Sequence, residues 1–278
     1  MPLPLRRRNS LKNRLDIVLV EKGLFPSREK AKAAVMAGMV WVDGARCDKA
    51  GTPVNPTSAV LEIRGNLCPY VSRGGMKLEK ALHAFQIDLT NAVCMDIGAS
   101  TGGFTDCMLQ HGAAKVYAAD VGYGQLDWKL RNDPRVVTIE RVNVRYLDPE
   151  TIPERFDLVT IDVSFISLKL ILPVAGKLLK EHGRCLCLVK PQFEAGRSQV
   201  GKNGIVRDRR IHLSVLRAVL DYGKENNLTF AGLTFSPITG TKGNIEFLLL
   251  LESGIDNRKA SEEIIEDIVD QAHRELDR

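Results

Sequence analysis

The sequence predicts an α/β fold, in which a mostly parallel, doubly wound sheet with an antiparallel last strand follows a small α+β unit. Three observations carry this expectation. From residue 93 onward, apolar runs of strand length alternate with helical ones, the pattern of right-handed crossovers on a parallel sheet. The last two such runs, "LTFAGLTF" and "IEFLLLLE", are joined by a loop too short for a crossover helix, so they run antiparallel. The charge is also divided. Residues 1–64 hold 12 Lys and Arg against 6 Asp and Glu, while the remainder holds 27 against 28. The positive surplus thus sits in the first quarter of the chain, as in a small domain that meets phosphates, although a solvated basic face would read the same way.

The elements follow in order. Residues 1–13, "MPLPLRRRNSLKN", form a basic arm with no apolar core behind the arginines, so they do not make a secretory signal. Residues 14–64 read as one unit. "RLDIVLVEKG" is a short helix, and "PSREKAKAAVMAG" is a second, with Ser27 as its N-cap and Gly38 beyond its end. "MVWVDGARC" is a hairpin turning at Asp43-Gly44, and "AVLEIRG" is a closing strand. Residues 65–75, with Gly, Pro and Asn, mark a linker. The larger domain spans 76–254. Its strands are expected at "AVCMDIG", "KVYAADVG", "VVTIERVNV", "FDLVTIDVSF" and "GRCLCLVKP" before the final pair. Its helices are expected at "GFTDCMLQHG", "QLDWKLRN", "LKLILPVAGKLLKEHG" and "IHLSVLRAVLDYGKEN". Residues 255–278 are a charged amphipathic helix, most simply a packing element.

Several classes are disfavoured. No apolar run approaches the ~18 residues of a membrane helix; the longest, "LKLILPVAGKLL", is broken by Lys169, Pro173 and Lys177. None of the six cysteines forms a CxxC pair, and Cys185 and Cys187 alternate as core residues on one strand face. A reduced, cytoplasmic protein without a metal site is expected, and the five histidines show no ligand spacing.

The chemistry concentrates where strands end. "DIGASTGGFTD" places Asp96, Gly98, Ala99, Ser100, Gly102, Gly103, Phe104 and Thr105 at the end of the first strand of the sheet, where doubly wound folds bind ligands. Asp120-Val121 ends the next strand, with Asp120 placed to accept ribose hydroxyls. The spacing matches neither the dinucleotide pattern nor the phosphate loop, and Asp96 would repel a pyrophosphate. S-adenosylmethionine has no phosphate and offers an ammonium, a sulfonium and a carboxylate. Asp96 suits the cations, and the amides after Ser100 suit the carboxylate. A nicotinamide enzyme remains an alternative if the turn is misread. Lys77 precedes the sheet, Asp162 and Lys190 end its fourth and fifth strands, and Glu246 starts the last one. An antiparallel last strand brings Glu246 to the same rim. Singly, each reads as a surface charge; together they form a lysine and carboxylate cluster beside the ligand turn.

These segments, with "RLDIVLVEKGLFPSREKAKAAVMAGMVWVDG", "SRGGMKL", "DVSFISL", "VKPQFE" and "GNIEFLL", resemble the TlyA family over nearly all of residues 14–252. The resemblance implies an RNA-binding domain of the ribosomal-protein αL type, followed by an FtsJ-like methyltransferase with a Rossmann-like class I sheet. It implies ribose 2′-O-methylation of cytidines in ribosomal RNA within ribosomal subunits, with the Lys-Asp-Lys-Glu tetrad on Lys77, Asp162, Lys190 and Glu246. Asn143 resembles the adenine-contacting position and Asp162 also a cofactor contact, while Arg14, Arg28, Lys32 and Arg73 are the RNA-facing candidates. Lys190 is the expected base, oriented by Asp162, with Lys77 and Glu246 positioning the hydroxyl; the transfer calls for no metal. The loop "VGKNGIVRDRR" is expected to close over RNA, or to be a plain lead-in capped by Asp208. Members of the family carry an old hemolysin label, so a membrane-active protein is one alternative, and an RNA-binding chaperone without methyl transfer is another.

Overall fold

The computed structural model describes residues 12–36, 38–64, 68–254 and 260–276, in two compact units divided after Leu67. The basic arm, up to residue 11, and the centre of the expected linker, 65–67, lie outside the described residues, as do 255–259 of the expected C-terminal segment.

The first unit comprises β1 (Asn13–Arg14), α1 (Leu15–Glu21), α2 (Arg28–Met36), β2 (Val40–Val42), β3 (Ala45–Arg46), β4 (Pro53–Val54) and β5 (Leu61–Ile63). Ser27 Oγ accepts from the Lys30 amide, so α2 starts on its expected cap. Ala31, Ala34 and Val35 of α2 are buried, one stripe of the helix packing against Leu15, Val18 and Leu19 of α1. Asp43 and Gly44 both take positive φ, 51° and 79°, which closes the β2–β3 hairpin with the twist its strands require. The two-residue strands β1 and β4 pair antiparallel and are too short to show periodicity in the sequence.

The second unit comprises α3 (Gly74–Ala84), β6 (Val93–Ile97), α4 (Gly103–Gln110), β7 (Lys115–Asp120), α5 (Trp128–Arg131), β8 (Val136–Glu140), β9 (Phe156–Ile161), α6 (Leu172–Leu178), β10 (Leu179–Val189), α7 (Pro191–Glu194), α8 (Arg209–Glu225), β11 (Leu228–Phe235), β12 (Phe247–Ser253) and α9 (Glu262–Leu276). The seven strands are ordered β11-β12-β10-β9-β6-β7-β8. β10, β9, β6, β7 and β8 are parallel neighbours, and β12 runs antiparallel to both β10 and β11. Alternation along each strand feeds two cores. Cys94, Leu186 and Leu188 face α3 and α4, whereas Met95, Cys185 and Cys187 face α6, α8 and α9. Ile265, Val269 and Ala272 of α9 are buried, so this helix packs as its amphipathic pattern predicts.

Four boundaries depart from the sequence reading. The region expected as linker to residue 75 belongs to the second unit from Cys68: Tyr70 is buried there, the Val71 amide donates to Asp106, and α3 already begins at Gly74. The third strand of the sheet stops at Glu140, because Arg141 turns into the left-handed region and its amide bonds to Gly122. α5 is only four residues long, capped by Asp127 and followed by Pro134. The helix expected to residue 183 ends at Leu178. There the chain enters β10, and Leu179 pairs with Phe156 ahead of a bulge; long-range pairing overrides helix propensity.

Candidate active site

The C-terminal rim of the sheet surrounds a cavity of about 630 Å³ within the second unit, a size typical of cofactor pockets. Its floor is the glycine turn. Gly98 has φ 87°, and a Cβ there would stand 2.4 Å from the Asp162 carbonyl oxygen, so only glycine lets β6 and the end of β9 meet. Gly103 serves a second close approach. A Cβ on it would lie 2.9 Å from the Gly75 nitrogen, which is how the first turns of α3 and α4 come together and bring Lys77 to the turn.

The four tetrad residues all line this cavity. Asp162 lies one residue past β9, Lys190 one past β10, and Glu246 one before β12, whose reversed direction puts it on the shared rim. They are paired two by two. Lys190 Nζ is 2.6 Å from Asp162 Oδ1 and 3.1 Å from Ser164 Oγ, while Lys77 Nζ donates to Glu246 Oε2 at 2.6 Å. Lys190 and Glu246 are buried, and such pairs in a restricted site hold their geometry tightly. Pro191, at the first position of α7, sets the chain direction just after Lys190.

The expected cofactor residues divide into two groups. Asp96, Gly98, Ala99, Ser100, Gly103, Phe104 and Asp162 line the cavity, while Gly102, Thr105, Asp120, Val121 and Asn143 do not. Asp96 lies under the wall without exposed surface. Its Oδ2 accepts from the Thr105 amide and hydroxyl and its Oδ1 from the Thr160 hydroxyl, so it braces α4 against β9. Its charge reaches the cavity, but its oxygens are spent on the protein. Asp120 accepts from the Ser100 and Gly122 amides and thereby holds the glycine turn against the end of β7. Asn143 stands three residues past β8, exposed, and caps a 3₁₀ turn by accepting from the Arg145 amide; the early end of the strand accounts for that displacement.

Burial pushes the Asp96 carboxyl up to about 7, against the hydrogen bonds from Thr105 and Thr160 that favour its charged form. A carboxyl raised in this way favours the folded state most below about pH 4, and that advantage is lost as pH rises through about 7. A cationic ligand in the cavity favours the carboxylate, so its affinity should rise between about pH 6 and about pH 8, by at most about tenfold. Calorimetric titration of S-adenosylmethionine tests this, and the slope should flatten in Asp96→Asn.

Of the four RNA candidates, Arg73 is exposed at the cavity and Lys32 is exposed on α2. Arg14 and Arg28 are half-exposed and share one buried partner. Arg14 Nε lies 3.0 Å from Asp16 Oδ1, and Arg28 Nη2 lies 3.0 Å from Oδ2. The hydrogen bond from Arg14, aided by Arg28, holds the Asp16 carboxyl down to about 2, so its stabilisation is present above about pH 4 and is lost as pH falls through about 2. Asp16→Asn is expected to cost the first unit about 2 kcal/mol, less than a fully buried pair because both arginines can rehydrate. Trp41 fluorescence during urea unfolding of a Trp128→Phe background would measure it, since Trp128 is exposed and lies in the other unit.

Sequence reasoning overlooked an aromatic rim. Phe165 is 90% exposed, sits at φ 65°, and lies 5.0 Å from Phe193, both at the cavity. Glu194 braces this pair by accepting from Ser167 Oγ and the Leu168 amide. Beyond it, Arg141 stacks on Tyr123 and Arg145 on Tyr146, two exposed tyrosines. The signal was present in "DVSFISL" and "KPQFE", next to the tetrad residues. Asn244 was also missed. It is buried at the cavity, accepts from the Val206 amide and donates to the Gly204 carbonyl, pinning the loop that precedes α8. Asp208 caps α8 by accepting from the Arg210 amide, the plainer of the two readings of that loop.

A seven-stranded sheet of this order, with a glycine turn after its first parallel strand and a charged cluster on its rim, defines the Rossmann-like methyltransferase class. A model of the FtsJ-like methyltransferases matches residues 70–253, and one of the S4 domain matches residues 13–60. The chain is 51% identical to a Bacillus subtilis protein provisionally named as an rRNA methyltransferase, YqxC, over 96% of each chain. It is 45% identical to the Mycobacterium tuberculosis 16S/23S rRNA (cytidine-2′-O)-methyltransferase TlyA, over 93% of this chain and 96% of that one. A solved structure from Streptococcus thermophilus, provisionally described as a hemolysin, is 48% identical and superposes with a TM-score of 0.77 over 96% of this chain and 98% of that one. The chain belongs to the TlyA family of FtsJ-like methyltransferases with an S4 domain.

Proposed function

We propose that this protein transfers a methyl group from S-adenosylmethionine to the ribose 2′-hydroxyl of cytidines in 16S or 23S rRNA, acting on ribosomal subunits in the cytoplasm. The observation that carries the reading is the pair of ion pairs, Lys190–Asp162 and Lys77–Glu246, on the rim of the cavity floored by the glycine turn. When bound, the cofactor supplies an electrophilic methyl on a sulfonium. The chain must then orient a hydroxyl and remove its proton. Lys190 is the base, held by Asp162 and Ser164. A lysine accepts a proton only when neutral, so the Lys190 amine must give up its own proton before it can take the one from the hydroxyl. Lys77, anchored by Glu246, positions the hydroxyl, so that proximity supplies much of the rate.

A nucleoside reaches such a cavity only after leaving its stack. Phe165 and Phe193 offer it a new aromatic face, and the strained, exposed Phe165 is well placed for that task. Phe165→Ala is expected to raise the KM for RNA by about tenfold with the melting temperature unchanged. The two arginine–tyrosine stacks, Arg73 and the S4 unit would supply phosphate contacts. Among the described residues no helix is long and apolar enough to cross a membrane. The test is transfer of labelled methyl to hypomodified small and large subunits. Label in the rRNA of at least one is expected, and none in either, with cofactor binding demonstrated, would overturn the proposal.

A further inference from the structure

We propose that Glu79, His83 and His111 form a binding site for a divalent transition metal, zinc or a similar borderline ion, that clips α3 to α4 behind the catalytic cavity. No two histidines are spaced as ligands along the chain; packing of α3 on α4 brings these groups together. Glu79 and His83 lie one turn apart on one face of α3, and His111 directly follows α4. One ligand atom from each lies within 4.8 Å of the others. Ligands about 2.1 Å from a tetrahedral ion stand about 3.4 Å apart, so the set must close by at most about 1.4 Å. His83 is exposed and has the freedom to swing inward.

Two further contacts prepare the ligands. His111 Nδ1 lies 2.9 Å from the Cys107 carbonyl oxygen. A carbonyl only accepts, so Nδ1 carries the hydrogen and Nε2 keeps its lone pair. This is the arrangement in which a metal-bound histidine is oriented by an outer carbonyl. Tyr70 Oη donates to Glu79 Oε1 at 2.8 Å, which orients the carboxylate and leaves its second oxygen for a ligand. Two imidazoles and one carboxylate form the donor set of three-ligand zinc sites, with a fourth position for water; magnesium and calcium prefer all-oxygen shells. The three residues lie outside the cavity, so the ion would take no part in methyl transfer. It would tie the helix that carries Lys77 to the helix that leaves the glycine turn, and stiffen the site from behind.

The test uses the full-length chain without an affinity tag, stripped by chelator and titrated with Co²⁺ while visible absorption is recorded. One equivalent should produce the bands of a low-coordinate complex, be displaced by Zn²⁺, and raise the melting temperature. His83→Ala and His111→Ala should each weaken the affinity by at least about tenfold and remove the thermal shift, with circular dichroism confirming that both are folded. His182→Ala, at the exposed start of β10, should leave both readouts unchanged. No saturable binding to the wild type, or affinities that both substitutions leave unaltered, would overturn the proposal whatever the methyltransferase activity.

Discussion

Lys190→Ala is expected to lower the single-turnover rate of methyl transfer by roughly a thousandfold, within the range that general bases contribute. Affinity for S-adenosylmethionine should be almost unchanged, because the base acts on the hydroxyl and not on the cofactor. Lys190→Arg is the sharper variant. It keeps a cation beside Asp162 and Ser164, but a guanidinium does not lose its proton in this range, so it should be nearly as inactive. A Lys190→Arg enzyme with more than about a tenth of the wild-type rate would show that the residue serves as a charge and not as a base.

The second large effect belongs to the backbone. Gly98→Ala should destabilise the second unit by roughly 2–4 kcal/mol and abolish cofactor binding. Its new Cβ would fall 2.4 Å from the Asp162 carbonyl oxygen and 2.9 Å from the carbonyl carbon, at φ 87°. Neither atom is the end of a flexible chain, so β6 and the end of β9 would have to separate. Gly124→Ala is the matched control, with φ 69° and no atom within 4 Å of its Cβ. It should cost about 1 kcal/mol, the conformational penalty alone. Urea unfolding of both, together with cofactor titration, separates strain from collision. Equal costs would mean that the close approach contributes nothing.

The mostly parallel sheet with its reversed last strand, the glycine turn and the gathering of four charged residues on one rim were legible because each depends on local pattern or on strand direction. Alternating runs reveal a parallel sheet, and a short final connection reverses the last strand, which is enough to bring Glu246 to the rim where Lys190 stands. Features set by long-range contact were not legible. Whether Asp96 faces the ligand or the protein depends on Thr105 and Thr160, and Thr160 comes from a different strand. The displacement of Asn143 follows from the left-handed turn at Arg141, which no composition rule announces. Arg14 and Arg28 read as free cations until Asp16 is seen between them. The place of Phe165 beside Asp162 is visible in the sequence, but the exposure of its ring is set by the fold.

The central claim is the position of the transferred methyl. Hypomodified subunits methylated by the wild-type chain should yield 2′-O-methylcytidine on nuclease digestion and mass spectrometry, at phosphodiesters that resist alkali. Methyl on a nucleobase, with every linkage alkali-sensitive, would contradict the roles assigned to Lys190, Asp162, Lys77 and Glu246.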